Sequence, residues 1–154
     1  MSEKSSTERD FSKPANLALK LGSGVHAGVY RATNGKLFGR MGKSPILLLN
    51  TVGRKSGKKR TTPLLYVMDG EEFVLIASKE GSPTHPAWYL NLMANPEVTV
   101  EVGDREVRAR AEEVSGAEKT RLWQKMVEMY PTYDDYQTRT EREIPLLILR
   151  PVTT

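Results

Sequence analysis

Apolar residues change their period along the chain, and each change marks an element. From Pro14 to Tyr30 the positions Leu17, Leu21, Val25 and Val29 recur every four residues, which predicts a helix over 14–31 that opens at Pro14. Gly22, Gly24 and Gly28 weaken it by ~1 kcal/mol each relative to alanine. Their spacing does not fit a phosphate-binding glycine loop, and no strand precedes them. Ahead of this helix, residues 1–13 are rich in Ser, Glu and Lys and read as a disordered N-terminus.

The period then shortens to that of strands. Pro45–Val52 is an apolar run closed by Gly53. Thr61–Met68 leads through Asp69-Gly70, a tight-hairpin signal, into Phe73–Ser78. Val98–Val102 alternates, Gly103-Asp104 turns the chain, and Glu106–Val114 continues with Val107, Ala109 and Ala111 on one side. Ile144–Leu149 reads as a last strand. Helices interrupt the series at Pro86–Ala94, between His85-Pro86 and Asn95-Pro96, and at Ser115–Met129. Ser115 is the predicted N-cap of the second, with Glu118 completing a capping box and Leu122, Met126 and Met129 as the buried face. A short third helix is expected over Tyr133–Thr140. Strands joined mainly by hairpins, with helices inserted, predict an α+β protein built on a small antiparallel barrel. The 154 residues suit one compact domain, here residues 14–154.

Composition removes several chemistries. There is no cysteine, which excludes disulfides, thiolate metal sites and thiol nucleophiles. His26 and His85 lie in different elements, no His/Asp/Glu cluster has metal-ligand spacing, and no serine-nucleophile motif is present. No metal site is expected. The longest apolar runs are far short of the ~20 residues a membrane span needs, and no signal peptide is visible. The expected location is cytoplasmic.

Charge changes the picture most. The net charge is +4, from 23 basic and 19 acidic residues. Five of the cations fall within Arg54-Lys55-Ser56-Gly57-Lys58-Lys59-Arg60; without them the chain carries 18 basic against 19 acidic residues. So the excess is local. A nucleic-acid binder spreads cations over a long face, whereas one patch suits a small polyanion; no nucleic-acid partner is expected. Such a run reads either as a solvated hairpin tip or as an anion site, and five like charges in seven residues favour the anion. Ala77-Ser78-Lys79 at a strand end, followed by Trp88-Tyr89-Leu90-Asn91 on a helix, offers a second polar site, although Trp88 and Leu92 alone read as a buried stripe. Tyr130, Tyr133 and Tyr136, three of six tyrosines within seven residues, form either a substrate wall or an amphipathic rim.

Taken together these segments resemble the deazaflavin (F-420)-dependent nitroreductase family. The resemblance is carried by Leu47-Leu48-Leu49-Asn50-Thr51-Val52-Gly53-Arg54-Lys55-Ser56-Gly57, Arg60-Thr61-Thr62-Pro63-Leu64 and Ala77-Ser78-Lys79. Pro86-x-Trp88-Tyr89-Leu90-Asn91-Leu92-x-Ala94-Asn95-Pro96 and Met129-Tyr130-Pro131-x-Tyr133-x-Asp135-Tyr136 complete it, in order, over about Pro14 to Pro151. It implies a split β-barrel like the FMN-binding pyridoxamine-oxidase fold. It also implies that reduced coenzyme F-420, an 8-hydroxy-5-deazaflavin, passes a hydride from C5 to a quinone, with nitroimidazoles and activated enones as further acceptors. The cofactor's phosphate and polyglutamate tail would lie along Arg54, Lys55, Ser56, Lys58 and Arg60. Its ring would lie against Thr62, Pro63, Leu64 and Leu65, Ile76, Ala77, Ser78 and Lys79, and Ala87, Trp88, Tyr89 and Asn91. Ser78, Tyr130, Tyr133 and Tyr136 would line the acceptor pocket, Ser78 and Tyr133 hydrogen-bonding the acceptor oxygen. Glu80 departs from the family, where glycine is common. FMN in place of deazaflavin, or a carrier without turnover, are the alternatives. The N-terminal helix, with Lys13, Lys20 and Arg31 nearby, would either rest on the inner face of an anionic membrane or cover the barrel. Monomer and homodimer both remain open.

Overall fold

The computed structural model describes Arg31, Arg40–Met41 and residues 44–152. The predicted disordered N-terminus, His26 and all of the predicted N-terminal helix except Arg31 lie outside the described residues. Strands β1 (Arg40–Met41), β2 (Ser44–Val52), β3 (Lys59–Leu65), β4 (Val67–Asp69) and β5 (Glu72–Ile76) come first. Helix α1 (Ala87–Ala94), strands β6 (Glu97–Val102) and β7 (Arg105–Val114), helices α2 (Gly116–Met129) and α3 (Thr132–Thr138), and strand β8 (Leu146–Pro151) follow.

Every strand pairing is antiparallel, in the order β1-β2-β6-β7-β8-β5-β4, with β3 also on β2. The ends of this path meet in one stretch of chain. β3 runs along β2 from Val52↔Lys59 to Ile46↔Leu65, and after Tyr66 the chain leaves β2 to pair with β5 as β4. The single strand expected over 61–68 is therefore two, because the segment exchanges one partner for another at Tyr66, whose N–H reaches the Pro45 carbonyl at 3.3 Å. That exchange curls the sheet into a barrel, with the continuous β3–β4 segment bridging β2 and β5.

Strand alternation sorts the core into two. Leu47, Leu49, Phe73, Leu75, Leu147 and Leu149 point inward with Val98, Val100, Ala109 and Ala111, and α1 plugs this interior with Trp88, Tyr89 and Leu92. The opposite faces of β5 and β8 carry Val74, Ile76, Leu146 and Ile148, which pack against Leu122 and Met126 of α2, with Tyr133 and Ile144. Leu122 and Met126, one helical turn apart, supply the face that the spacing predicts; Met129 is only half-buried. Asp69 in the β4–β5 hairpin takes Arg121 in two bonds of 2.9 and 3.0 Å and Lys125 at 3.5 Å, tying α2 to the barrel. Hydrogen bonding from Arg121 holds the Asp69 carboxyl down to about 2.

Element boundaries differ from expectation mostly by one or two residues. The capping box does not form: Ser115 occupies the N-cap, but its side chain makes no cap bond, the chain entering α2 through Gly116 at φ +63°. Among the described residues no helix is long and apolar enough to cross a membrane.

Candidate active site

Two turns at strand ends carry the candidate residues. The first joins β2 to β3. Gly53 N–H bonds the Lys58 carbonyl and Gly57 N–H the Gly53 carbonyl, each at 2.8 Å, with Gly57 at φ +70° where a side chain would be strained. Ser56 Oγ accepts the Lys58 N–H at 3.2 Å. The turn is tied to α1 by the buried Asn91, whose Oδ1 accepts the Arg54 N–H at 3.1 Å. Arg54, Lys55, Lys58, Lys59 and Arg60 are all exposed. Among the described residues no carboxylate forms an ion pair with any of them. The donor set is thus an exposed cluster of cations rooted to α1 through Asn91, which fits phosphate and carboxylate ligands.

The second turn follows β5. Ser78 is half-buried and begins a short 3-10 turn over Lys79–Gly81. Lys79 at φ 43°, Glu80 at φ 55° and Gly81 at φ 79° are successive left-handed residues. Gly81 is buried against α3: a Cβ there would lie 2.6 Å from the Tyr136 carbonyl oxygen and 3.0 Å from Arg139 Cβ. The Lys79 ammonium donates to Thr84 Oγ1 at 3.0 Å, while Glu80 is exposed.

The tyrosines stand beside this turn. Their ring centroids are 5.1 Å apart for Tyr130–Tyr133, 6.1 Å for Tyr133–Tyr136 and 6.4 Å for Tyr130–Tyr136, mostly edge to face. The Tyr130 and Tyr136 hydroxyls are 3.4 Å apart, and the Arg139 guanidinium lies 5.4 Å over the Tyr136 ring. Burial pushes Tyr133 and Tyr136 above the ordinary phenol range, and the Glu80 charge adds to the rise at Tyr136. Both therefore stay protonated near neutrality, able to donate.

The candidates are not equivalent. Tyr133 is 5% exposed and belongs to the core between α2 and the sheet, whereas Tyr130 and Tyr136 are half-exposed. Trp88 and Tyr89 are buried in the barrel interior, so the stripe that Trp88 makes with Leu92 is a core stripe. The Tyr89 hydroxyl donates to Glu113 at 2.5 Å, and burial together with this bond pushes it up to about 12. Ala87 is exposed at the start of α1. Pro63, Ile76 and Ala77 are buried in the wall, Thr62 is half-buried, and Leu64 and Leu65 pack against the inner and outer cores respectively. No group of three metal-ligating side chains occurs among the described residues.

Arg142, absent from every motif, reaches the second turn from the segment between α3 and β8. It donates from Nε to the Ser82 carbonyl at 3.0 Å and from Nη2 to the Ser78 carbonyl at 2.8 Å. Nη1 serves the Ala77 carbonyl and His85 Nδ1, both at 3.1 Å. Spacing could not have found it, because its acceptors are carbonyls whose direction is set by the left-handed residues.

Residues 23–151 match the sequence model of a family described as F420H(2)-dependent quinone reductase. An F420H(2)-dependent quinone reductase of Mycobacterium tuberculosis is 42% identical over 129 residues, covering 81% of this chain and 87% of the relative. A solved F420-H2 dependent reductase is 46% identical with a TM-score of 0.65, covering 69% of this chain and 94% of that one. A pyridoxamine 5′-phosphate oxidase-type protein of Listeria innocua shares only 15% identity over 70% of this chain and 84% of its own, with a TM-score of 0.50. That likeness concerns the fold, a split β-barrel.

Proposed function

This chain belongs to the F420H(2)-dependent quinone reductase family, and from that premise we propose how its two turns divide the work of an oxidoreductase that reduces a quinone with reduced deazaflavin. The observation that carries the proposal is the basic turn: five exposed cations, none in an ion pair among the described residues, rooted to α1 through Asn91. Arg54, Lys55, Lys58 and Arg60, with the Ser56 hydroxyl, hold the cofactor's phosphate and polyglutamate tail. Arginine serves carboxylate or phosphate in two parallel bonds and lysine as a point charge.

When bound, the deazaflavin supplies a two-electron hydride donor. The chain's own residues do the rest. Thr62, Pro63, Leu64 and Leu65, with Ile76–Lys79 and the Ala87–Asn91 face of α1, form the wall against which the ring is oriented. Ser78 and Tyr133 donate hydrogen bonds to the acceptor oxygen as negative charge develops on it, with Tyr130 and Tyr136 lining the same pocket. Tyr133, whose ring lies among Leu122, Met126 and Ile144 and edge-on to Tyr130 and Tyr136, is the tyrosine proposed to share the acceptor oxygen with Ser78. Nitroimidazoles and activated enones are proposed as further acceptors, since the wall recognises an electrophile flanked by an acceptor oxygen. The reaction is placed in the cytoplasm or at the inner membrane face, where a lipid quinone is met.

Purified full chain, reduced deazaflavin and menadione test the reading directly: deazaflavin fluorescence should return as the quinone is consumed. Titrating deazaflavin and FMN separately against tryptophan fluorescence should favour deazaflavin. Preference for FMN, or deazaflavin binding without turnover of any quinone, would overturn it in favour of a flavin reductase or a carrier.

A further inference from the structure

Ala77, Ser78 and Ser82 turn three carbonyl oxygens toward one another at the end of β5, an arrangement that repels itself unless a donor fills the middle. Arg142 is that donor. Three of the guanidinium's four hydrogen bonds go to these carbonyls and the fourth to His85, three residues beyond Ser82, across 57 to 65 residues of sequence. The two bonds internal to the turn, Gly81 N–H to the Ser78 carbonyl and Ser82 N–H to the Lys79 carbonyl, both 2.9 Å, do not by themselves account for Lys79 and Glu80 adopting positive φ, which side-chain-bearing residues avoid. A planar fork with donors on both edges holds such a turn; an ammonium cannot reach all four acceptors.

The fourth acceptor sets a condition. A guanidinium only donates, so His85 Nδ1 must accept, and the imidazole must be neutral with its proton on Nε2. Among the described residues three groups face it: Arg142, the Tyr89 ring at 4.7 Å between centroids, and Glu113, which holds the Tyr89 hydroxyl. Burial and then the Arg142 charge push His85 below its ordinary value, and Glu113 acts the other way. The imidazole is therefore neutral above about pH 6.5. As the pH falls from there through the lowered value it gains a proton, loses its lone pair and opposes Arg142.

We propose that Arg142 is a positioning residue for the acceptor site: its guanidinium, completed by neutral His85, holds the Ser78–Gly81 turn in the left-handed form that packs on Tyr136. The proposal rests on the reading of Ser78 and the tyrosines as the acceptor wall. The basic turn lies on other strands, so the clamp leaves tail binding alone and acts where ring and acceptor meet.

The test is Arg142→Lys in the full chain, followed by hydrogen exchange and by kinetics. Exchange at the Gly81 and Ser82 amides should rise at least tenfold while the amides of β2, β6 and β7 keep their protection. With menadione, kcat should fall at least tenfold, and by a larger factor than the deazaflavin Kd rises, since Ile76–Lys79 also belong to the proposed ring wall. In the wild type, kcat should show an acid limb below pH 6.5, which His85→Asn, an untitratable acceptor in the place of Nδ1, should flatten. Wild-type exchange at Gly81 and Ser82 in Arg142→Lys, or a rise spread evenly over the barrel, would overturn the clamp. So would an acid limb unchanged by His85→Asn. Should the wild type reduce no quinone, the functional reading fails, and the exchange measurement still decides the clamp.

Discussion

The turn after β2 and the turn after β5 do opposite things with the same barrel. The first leaves its charge exposed and its backbone relaxed apart from Gly57; among the described residues no carboxylate pairs with its cations. The second strains its backbone at Lys79 and Glu80 and is held by Arg142 and by close packing on α3. Exposed cations add attraction one by one, and salt weakens each of them. A clamped turn contributes geometry, which is present or lost as a unit. Affinity should therefore be graded in the first turn and activity abrupt in the second.

Gly81→Ala breaks that contrast most severely. The new Cβ would sit 2.6 Å from the Tyr136 carbonyl oxygen on a residue at φ +79°, so the turn and α3 must separate. A loss of about 2–4 kcal/mol in stability is expected, read as a lowered thermal midpoint, with turnover falling much more than deazaflavin affinity. If affinity fell instead, the two turns would not be independent.

Arg60→Ala probes the other side. It removes one exposed cation from a cluster, so the deazaflavin Kd should rise about tenfold, equivalent to ~1.4 kcal/mol, with saturated turnover nearly unchanged. Raising the ionic strength should shrink the difference between variant and wild type. Lowered kcat at unchanged Kd would contradict the division of labour.

The first turn was legible in the sequence and the second only half so, for a physical reason. Charge is a property of residues, and five cations between two apolar runs announce themselves before any fold is known. Alternation likewise marks Val98 and Val100, and Ala109 and Ala111, which point inward, because inward and outward faces follow the period of the strand. Hydrogen bonds to carbonyls leave no such mark: nothing about Arg142, set among Thr140, Glu141 and Glu143, tells it from a solvated surface residue. Tyr133 shows which part of a cluster spacing can reveal. Its spacing groups it with Tyr130 and Tyr136, whose rings it does meet, but does not reveal the packing on α2 that buries its ring. The exchange of partners at Tyr66 was equally hidden, since β3 and β4 are continuous in sequence and differ only in what they pair with.

Glu80→Gly sharpens the account of strain. Glu80 holds φ 55°, which costs a residue with a side chain ~1–2 kcal/mol, and glycine returns part of that gain as unfolded-state entropy. A net stabilisation of about 0.5–1 kcal/mol is expected, about 2 °C in thermal midpoint. Removing the carboxylate also removes one of the influences that raise Tyr136, so the phenol should titrate at lower pH in the variant, followed by ultraviolet absorbance. A destabilised variant would mean that the side chain, not the turn, carries the contact.

The smallest effect belongs to Thr51, which stands opposite Arg60 in the β2–β3 register and shares the inward parity of Leu47 and Leu49. It is 2% exposed, and its Oγ1 is the one fully buried side-chain polar atom among the described residues without a partner. An unsatisfied buried hydroxyl costs desolvation with nothing in return, and valine has nearly its shape. Thr51→Val should therefore stabilise the protein by up to ~1 kcal/mol in chemical denaturation and leave the deazaflavin Kd within twofold. That outcome would assign Thr51 to the barrel wall and leave the affinity of the first turn to its exposed cations alone. Loss of affinity with unchanged stability would instead make the hydroxyl part of the tail site, and the first turn would then depend on a buried contact as the second does.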